Sequence, residues 1–543
     1  MKITESYIVN KDKFKDVNIQ MPLFDDVLMK QRTKEQPKWL HFGGGNLYRC
    51  FHAKVAQDLL NQNLLETGIV VVENFGEALI KEVYQKNNNR SLTVTMKVDG
   101  SFEKELIAST SDAYFVNKNE EAVATVSNYF KQKSLQLVTL TITEKGYGVK
   151  DSAGQLLKTV ESDINVGPKY DELTNTMSQL AYFLLKRYEA GKLPLALVST
   201  DNFSHNGDRL KEALKTVVMG WVSLGHVSKD FATYLFESNN VSFPYSMIDR
   251  ITPGPSEKIA VALEAQGIEN MVLIPTSFGA SLANFVNTEE TCYLAIEDHF
   301  PNGRPAFEKV NNVYLADRET INKVDLMKVT TCLNPLHTSL AITGCLFGYE
   351  SIYETVQDKD LLALIEYIGY KEGLPVVQDP KIIDPKRFID EAIYKRFMNP
   401  NIPDTPQRIA TDTSQKLAVR FGETIASYVN SSNLEVKELT FIPFVIAAWC
   451  RYLMGIDDAG NSFEPSPDPL YEELFSCVQH LRLGSDNDVH KALAPILSNR
   501  ELFGMDLYLI GLGAKIEKIM EQLVSKPFAV RETLQIMIRE EKF

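Results

Sequence analysis

Hydrophobic and polar positions alternate in two different ways along the chain, with the change past its middle. In the first half, short apolar runs rich in β-branched residues stand between helical stretches, a pattern typical of a parallel sheet with crossover helices. Most of these runs are apolar throughout, so we expect both faces of the sheet to be covered. The predicted strands are Trp39–Phe42, Ile69–Val72, Leu135–Thr143, Leu195–Ser199 and Met271–Ile274.

One further run in the first half has a different periodicity. Leu92, Val94, Met96 and Val98 alternate with polar residues. Strict alternation indicates a strand with one face on the core and one in water. We therefore predict a half-exposed strand beside the main sheet.

After about residue 320 the strand pattern fades and apolar residues recur at helical spacing. The turn-rich stretch 298–306 offers a start for the crossing between the two halves. We predict an α/β protein with a doubly wound domain over residues 1–320 and a mostly α-helical domain over residues 321–543. The clearest predicted helical segments of the second domain are Leu361–Tyr370, Leu417–Val429, Phe441–Met454 and Leu507–Leu523.

Composition narrows the class of protein. A length of 543 residues exceeds one ordinary core, which fits two large domains. The formal net charge of −14 argues against a nucleic-acid groove or an anionic membrane surface and leaves small metabolites as the expected ligands. The six cysteines form no C-x-x-C pair, so we expect neither a disulfide framework nor a zinc knuckle. The first residues lack the features of a signal peptide, and we expect a cytoplasmic protein.

A glycine-rich turn after the first predicted strand suggests a nucleotide site. Gly43, Gly44 and Gly45 precede Asn46 and Leu47 at the start of a predicted helix, where backbone N–H groups can hold a pyrophosphate. The next predicted strand ends at Glu73, whose carboxylate can accept hydrogen bonds from ribose hydroxyls and would repel a 2′-phosphate. This order of elements favours binding of NAD over NADP, although a glycine turn without a ligand is the alternative.

The segment from Lys328 to His337 places an amine, a carboxamide and an imidazole within ten residues. In a helix, Asn334 and His337 share one face, and Lys328 lies nearly two turns earlier. Together these groups can serve an alcohol–carbonyl redox reaction without a metal. The alternative is a solvated lysine, a helix-capping asparagine and a core histidine.

Polar residues also follow two other predicted strands. Glu144 lies in the sequence TEKGY, and Asn202 lies in DNFSHNG. In doubly wound sheets the carboxyl ends of the strands face the ligand crevice. Ordinary turn chemistry is the alternative explanation for both segments.

Taken together, these motifs make the chain similar to the polyol-specific long-chain dehydrogenase/reductase family, which includes the mannitol dehydrogenases. The resemblance implies a Rossmann-type first domain, a largely helical second domain, an active site between them and zinc-independent chemistry with NAD. It extends over nearly the whole chain. The motifs that carry it, in order, are HFGGGNLYR, TEKGY, DNFSHNG, FPYSMIDRITP, IEDHFPNGRP, the segment 328–337, KRFMNP and RIATDTSQK.

The resemblance also implies a role for each site residue. Lys328 would be the general acid/base, and Asn334 and His337 would hold the reacting oxygen. Glu144 would lie near the entrance or the lysine. The residues expected to line the sugar chain are Asn202, Asp249, Arg408 and Lys416.

This chain departs from the family at the catalytic segment. The family usually separates the lysine from the asparagine by five positions and follows the asparagine with glycine. Here the separation is six and Pro335 takes the glycine position. Lys328 can keep its helical phase only if the turn loosens.

The resemblance favours an NAD-dependent oxidoreductase that interconverts fructuronate, a keto-hexuronate, and mannonate, a hexonate. Mannitol 2-dehydrogenase and tagaturonate reductase activities are the nearest alternatives. A catalytically silent NAD-binding sensor is the alternative from another class. We expect a sugar acid or polyol as the ligand, no metal, no nucleic-acid or membrane partner, and either a monomer or a small homo-oligomer.

Overall fold

The computed structural model describes residues 1–276 and 279–541. The chain forms two compact units. The first comprises Met1–Lys97 and Ser101–Asn322, and the second comprises Val98–Gly100 and the chain from Lys323 onward.

A six-stranded parallel sheet organises the first unit. We number its strands β1 to β6 along the chain, and their order in the sheet is β3-β2-β1-β4-β5-β6. The order reverses between β1 and β4, the arrangement of a Rossmann-type doubly wound fold. The strands are β1 Trp39–Phe42, β2 Ile69–Glu73, β3 Thr110–Phe115, β4 Leu137–Leu140, β5 Leu195–Ser199 and β6 Val241–Ser242.

Two hydrophobic clusters cover the two faces of this sheet. Leu40, Val70 and Val138 belong to one cluster, and Trp39 and Val71 belong to the other. Successive strand residues therefore enter opposite cores, as the period of two in a strand requires. The predicted α/β fold class is confirmed, and so is the expectation of a sheet covered on both faces.

Two strand predictions need correction. No strand spans 271–274. Instead, the two-residue strand Ile274–Pro275 pairs antiparallel with Ser281–Leu282. The alternating run at 92–98 contains the strand Ser91–Met96, in a separate four-stranded sheet with Ile19–Gln20, Phe102–Ile107 and Phe285–Glu289. That strand is almost entirely buried rather than half exposed, because Thr93 on its polar face is only 3% exposed. A third sheet contains Ser246–Asp249, Tyr293–Glu297 and Val313–Ala316.

Helices connect these strands. The α-helices of the first unit are Lys11–Asp16, Asp26–Glu35, Ala53–Asn61, Glu120–Phe130, Thr143–Gly146, Lys158–Val166, Thr176–Glu189, Asn206–Ser223, Lys229–Phe236 and Glu257–Ala265. The helix Arg318–Leu326 runs across the boundary of the units.

The second unit is built from helices, as predicted. Its helix Phe441–Tyr452 corresponds to the predicted helical segment Phe441–Met454 and is buried at every position. In the described part of the chain, no helix is long and apolar enough to cross a membrane. The other α-helices are Asn334–Phe347, Ile352–Gln357, Lys359–Tyr367, Pro385–Glu391, Pro406–Ala410, Glu423–Val429, Tyr471–Val478, Val489–Leu497, Arg500–Phe503, Gly513–Leu523 and Ala529–Glu540.

Short π-helical turns interrupt the α-helices of both units. Such turns contain one residue more than an α-helical turn and are frequent at functional sites. They are Tyr48–His52, Leu79–Tyr84, Met327–Cys332, Ile368–Gly373, Ala392–Phe397 and Ala418–Gly422. One of them, Met327–Cys332, contains Lys328, a candidate site residue from the sequence.

Candidate active site

A cleft of about 560 Å³ opens at the carboxyl ends of the strands of the first unit. Its lining includes Gly43 and Gly45 after β1, Glu73 at the end of β2 and Thr141–Thr143 after β4. These segments flank the point where the strand order reverses, the place where doubly wound sheets bind their ligands. The structure therefore brings three predicted motifs of the first unit to one cleft.

The glycine turn is shaped by close backbone contacts. Gly43 has φ +96°, and a Cβ atom there would lie 2.1 Å from the carbonyl oxygen of Thr141. Gly45 has open space where a side chain would be, and the helical segment begins at the next residue. The first position thus needs glycine for packing, and the third leaves the helix N-terminus accessible. These features fit a dinucleotide pyrophosphate.

The carboxylate of Glu73 is fixed by backbone N–H groups. Its Oε1 accepts hydrogen bonds from Asn74, Phe75 and Gly76 at 2.9–3.2 Å. Its Oε2 accepts one from Gly44 at 3.0 Å, which leaves that oxygen room for another donor. The side chain is 8% exposed and lines the cleft, a placement that fits contact with a ribose.

Asp201 connects the loops after β4 and β5, and sequence reasoning missed it. Its carboxylate accepts hydrogen bonds from the backbone N–H groups of Ile142 and Thr143 and from the hydroxyl of Tyr147 at 2.7–3.0 Å. Burial raises the pKa of Asp201, and these three hydrogen bonds oppose that shift. The sequence did contain a signal for Asp201, because it lies between a strand and a glycine-containing turn. Aspartate is common in turns, so this segment was explained by turn chemistry alone.

The other predicted residues of the first unit lie in varied surroundings. Asn46 donates to the carbonyl of Pro253, and Leu47 packs against the core. Asn202 is exposed after β5. Glu144 is also exposed and forms an ion pair with Arg209 at 2.5 Å. Asp249 is 5% exposed at the end of the strand Ser246–Asp249.

The turn around Lys328 is π-helical, which accounts for the unusual spacing between Lys328 and Asn334. The N–H group of Leu333 donates to the carbonyl of Lys328, five residues earlier, at 3.2 Å. In an α-helix the donor would be one residue closer. The wider turn absorbs the additional residue between Lys328 and Asn334. The lysine side chain is 4% exposed.

Asn334 and His337 belong to the first turn of the next helix, as predicted. Pro335 occupies a first-turn position, where its missing N–H group costs no hydrogen bond. The imidazole of His337 lies 5.0 Å from the ring of Phe397, centroid to centroid. Its Nε2 lies 3.2 Å from a carboxylate oxygen of Asp404.

The surroundings of His337 lower the pKa of its imidazole overall. Burial lowers the pKa of the imidazole, and the charges of Arg420 and Arg396 lower it further, whereas Asp404 opposes the shift. Burial alone would raise the pKa of Asp404, but His337 and Arg408 hold it below its usual value. The result is a neutral imidazole beside an ionised carboxylate.

Arg408 and Lys416, the two predicted cations, differ in their partners. Arg408 donates to Asp404 through Nε at 2.8 Å and through a second nitrogen, and its side chain is 65% exposed. Lys416 donates to the backbone carbonyl of Thr411. A third cation, Arg420, donates to the hydroxyl of Thr338, the residue after His337.

Sequence reasoning missed Asp404 and Arg420. Asp404 lies four residues before Arg408, an i,i+4 spacing that would have indicated the ion pair. Arg420 follows the last motif residue, Lys416, and no sequence pattern separates it from an ordinary surface arginine. No cluster of three or more His, Cys, Asp or Glu side chains in residues 1–276 and 279–541 is arranged to hold a metal ion.

Two family models match the chain. The mannitol dehydrogenase Rossmann domain family model matches residues 37–309, and the mannitol dehydrogenase C-terminal domain model matches residues 320–524. D-mannonate oxidoreductase of Thermotoga maritima is 47% identical over 542 residues, which cover 100% of both chains. Mannitol 2-dehydrogenase of Emericella nidulans is 27% identical over 86% of each chain.

Solved structures share the fold. Substrate-free D-sorbitol dehydrogenase aligns with a TM-score of 0.77 over 96% of this chain and 97% of the other, at 22% identity. Mannitol 2-dehydrogenase of Pseudomonas fluorescens, solved with NAD and D-mannitol, aligns with a TM-score of 0.69 over 99% and 100%, at 24% identity. With both family models matched and a full-length relative at 47% identity, the chain belongs to the mannitol dehydrogenase family of oxidoreductases.

Proposed function

We propose that this protein is an NAD-dependent oxidoreductase that interconverts a keto-hexuronate and a hexonate, with fructuronate and mannonate as the preferred pair. The observation that carries the proposal is the 47% identity, over all of both chains, with a relative called D-mannonate oxidoreductase. In this proposal residues 1–320 bind the dinucleotide, and residues 321–543 provide the catalytic side chains.

The glycine turn and Glu73 are the proposed cofactor contacts. Gly43, Gly44 and Gly45 leave room for the pyrophosphate, and the backbone N–H groups after Gly45 hold it, since the N–H group of Gly44 already donates to Glu73. The carboxylate of Glu73 accepts a hydrogen bond from a hydroxyl of the adenosine ribose. Because four N–H groups fix the carboxylate of Glu73 in place, a 2′-phosphate here is repelled. NAD, when bound, exchanges a hydride with the substrate carbon.

Lys328, Asn334 and His337 are the proposed catalytic residues. The amine of Lys328 takes the proton of the substrate hydroxyl during oxidation and returns it during reduction. The carboxamide of Asn334 donates a hydrogen bond to the reacting oxygen, and its place in the first helical turn fixes its direction. The imidazole of His337, which lies at an angle of 34° to the ring of Phe397, orients the same oxygen. The mechanism needs no metal ion.

Five side chains are the proposed substrate contacts. In the first unit these are Asn202, Asp249 and Glu144, of which Asp249 lies at the end of a buried strand. In the second unit they are Arg408 and Lys416, and Asp404 holds the guanidinium of the former.

A substrate panel tests the proposal. NADH oxidation is measured with fructuronate, tagaturonate and fructose, each with and without a chelator. We expect fructuronate to give the highest kcat/KM and the chelator to have no effect. Activity with fructose alone would favour a mannitol 2-dehydrogenase, and preference for tagaturonate would identify the other uronate reductase. NADH binding without turnover of any sugar would identify a silent sensor, and loss on chelation would refute the metal-free mechanism.

A further inference from the structure

Three cations of the second unit gather beside the helix Asn334–Phe347. Arg408 lies in the helix Pro406–Ala410, Lys416 lies in the turn after Thr413–Gln415, and Arg420 lies in the π turn Ala418–Gly422. Arg420 contacts the helix Asn334–Phe347 at Thr338. Like charges repel at short range, so such a cluster costs free energy unless anions compensate it. Whether a carboxylate of the protein neutralises each cation therefore indicates what the cluster binds.

Arg408 is compensated within the protein. Two of its guanidinium nitrogens donate to the carboxylate of Asp404, which is 5% exposed. The carboxylate also contacts His337 at 3.2 Å. Arg408 therefore contributes little uncompensated charge.

Arg420 is not compensated in this way. Its guanidinium carries five N–H donors, and the hydrogen bond it makes within residues 1–276 and 279–541 is the one to the hydroxyl of Thr338. No carboxylate in those ranges forms an ion pair with it. Burial lowers its pKa to about 10, and no acidic neighbour opposes the shift. A partly buried guanidinium without an anion is costly, and a bound anion would remove that cost.

Lys416 is in a similar position. Its amine donates to the carbonyl of Thr411, an uncharged acceptor. Burial lowers its pKa, and the charge of Arg420 lowers it further, while Asp412 and Asp468 act in the opposite direction. Asp468 already accepts from the backbone N–H groups of Ser414 and Leu470 at 2.8 and 3.0 Å.

We propose that Arg420, with Lys416, binds the carboxylate of the substrate and selects sugar acids over neutral polyols. This inference rests on the proposed function. A guanidinium and a carboxylate match as planar groups that form two parallel hydrogen bonds. In a keto-hexuronate the carboxylate lies at the opposite end of the carbon chain from the keto carbon. Arg420 donates to Thr338, the residue after His337, and its charge acts on the imidazole of His337, so the guanidinium lies near the proposed site of the reacting oxygen.

D-mannonate and D-mannitol provide a matched pair for the test, because mannitol has a hydroxymethyl group where mannonate has its carboxylate. We measure kcat/KM with NAD for each, and calorimetric Kd for each in the presence of the cofactor. Arg420→Gln should lower kcat/KM and affinity for mannonate by about 10- to 100-fold, the effect of losing a hydrogen bond to a charged group. Its constants for mannitol should be unchanged, and Arg420→Lys should recover part of the loss.

Arg387→Gln is the control, since Arg387 is an exposed arginine of the same unit whose side chain is 70% exposed. Equal losses with mannonate and mannitol would assign Arg420 a structural role and overturn the inference. Undiminished binding of mannonate by Arg420→Gln would overturn it as well. If the unaltered protein oxidises mannitol and not mannonate, the proposed function itself fails, a result distinct from both.

Discussion

Substitution of Asp404 by asparagine tests whether a carboxylate positions His337. The change keeps the shape of the side chain and removes its charge. Asp404 contacts Nε2 of His337 at 3.2 Å and accepts from Nε of Arg408 at 2.8 Å. Because the side chain of Arg408 is 65% exposed, water compensates most of its lost partner. The main effect is therefore the loss of the negative charge beside the buried imidazole of His337.

The expected magnitudes follow from these contacts. Losing a charged acceptor beside a buried imidazole should lower the free energy of unfolding by about 1–3 kcal/mol. Residues that orient a functional side chain typically change activity by about 10- to 100-fold, and we expect a kcat/KM loss in that range. NADH affinity should be unchanged, because the proposed cofactor contacts belong to the first unit.

The pH dependence gives the more specific readout. Asp404 raises the pKa of His337 against the effect of burial, so in Asp404→Asn that pKa falls further. Activity that requires neutral imidazole should then persist to lower pH, and the acidic limb of the kcat/KM profile should shift downward. The pKa of Asp404 itself is held below 3.8, so its contribution to stability is present above that value and is lost as the pH falls through its folded-state pKa. The stability gap between the two proteins should close in strong acid.

The assay follows NADH oxidation with fructuronate from about pH 5 to about pH 9, together with thermal unfolding. Asp390→Asn is the matched control, since that aspartate of the same unit accepts a hydrogen bond from Tyr370 at 2.6 Å. An acidic limb that stays in place, with kcat/KM at the level of the control, would refute the positioning role of Asp404.

Three further substitutions test other parts of the site. Lys328→Ala should lower kcat by roughly 10²- to 10⁴-fold and leave NADH binding intact, as fluorescence titration can show; near-normal turnover would move the acid/base role elsewhere. Glu73→Ser should relax the preference for NAD over NADP in steady-state kinetics, and an unchanged ratio of kcat/KM values would contradict its role. Gly43→Ala should lower the free energy of unfolding by about 2–4 kcal/mol, because φ is +96° and the Cβ would lie 2.1 Å from the carbonyl oxygen of Thr141; unaltered denaturant unfolding would show that the turn can relax.

Local patterns of apolar residues were sufficient to predict the bounds of some strands. The strands Trp39–Phe42 and Leu195–Ser199 have the predicted bounds, because a continuous apolar run between turn residues has few other ways to be buried. The run at 271–274 was misjudged: Met271 is buried, but Val272 is 58% exposed, and Ile274 belongs to a two-residue strand that pairs with Ser281–Leu282. The alternating strand at 91–96 was wrongly expected to face water, because its polar face is covered by parts of the chain distant in sequence.

The π turn Met327–Cys332 shows what spacing alone leaves open. The sequence revealed an additional residue between Lys328 and Asn334 but gave no way to place it. In the structure a π turn accommodates this residue, with a hydrogen bond from the N–H group of Leu333 to the carbonyl of Lys328. Spacing in the sequence does not specify that hydrogen bond.

The sequence by itself determined the doubly wound first domain, the helical second domain, the glycine turn with its acidic partner and the Lys–Asn–His segment. These features depend on periodicity and on short spacings, which are local properties of a chain. The tertiary structure decided how Asp201 joins two loops, that Asp404 pairs with both His337 and Arg408, and that Arg420 donates to the hydroxyl of Thr338. Those contacts join separate helices and loops, so they arise from packing, and no local pattern of residues contains them.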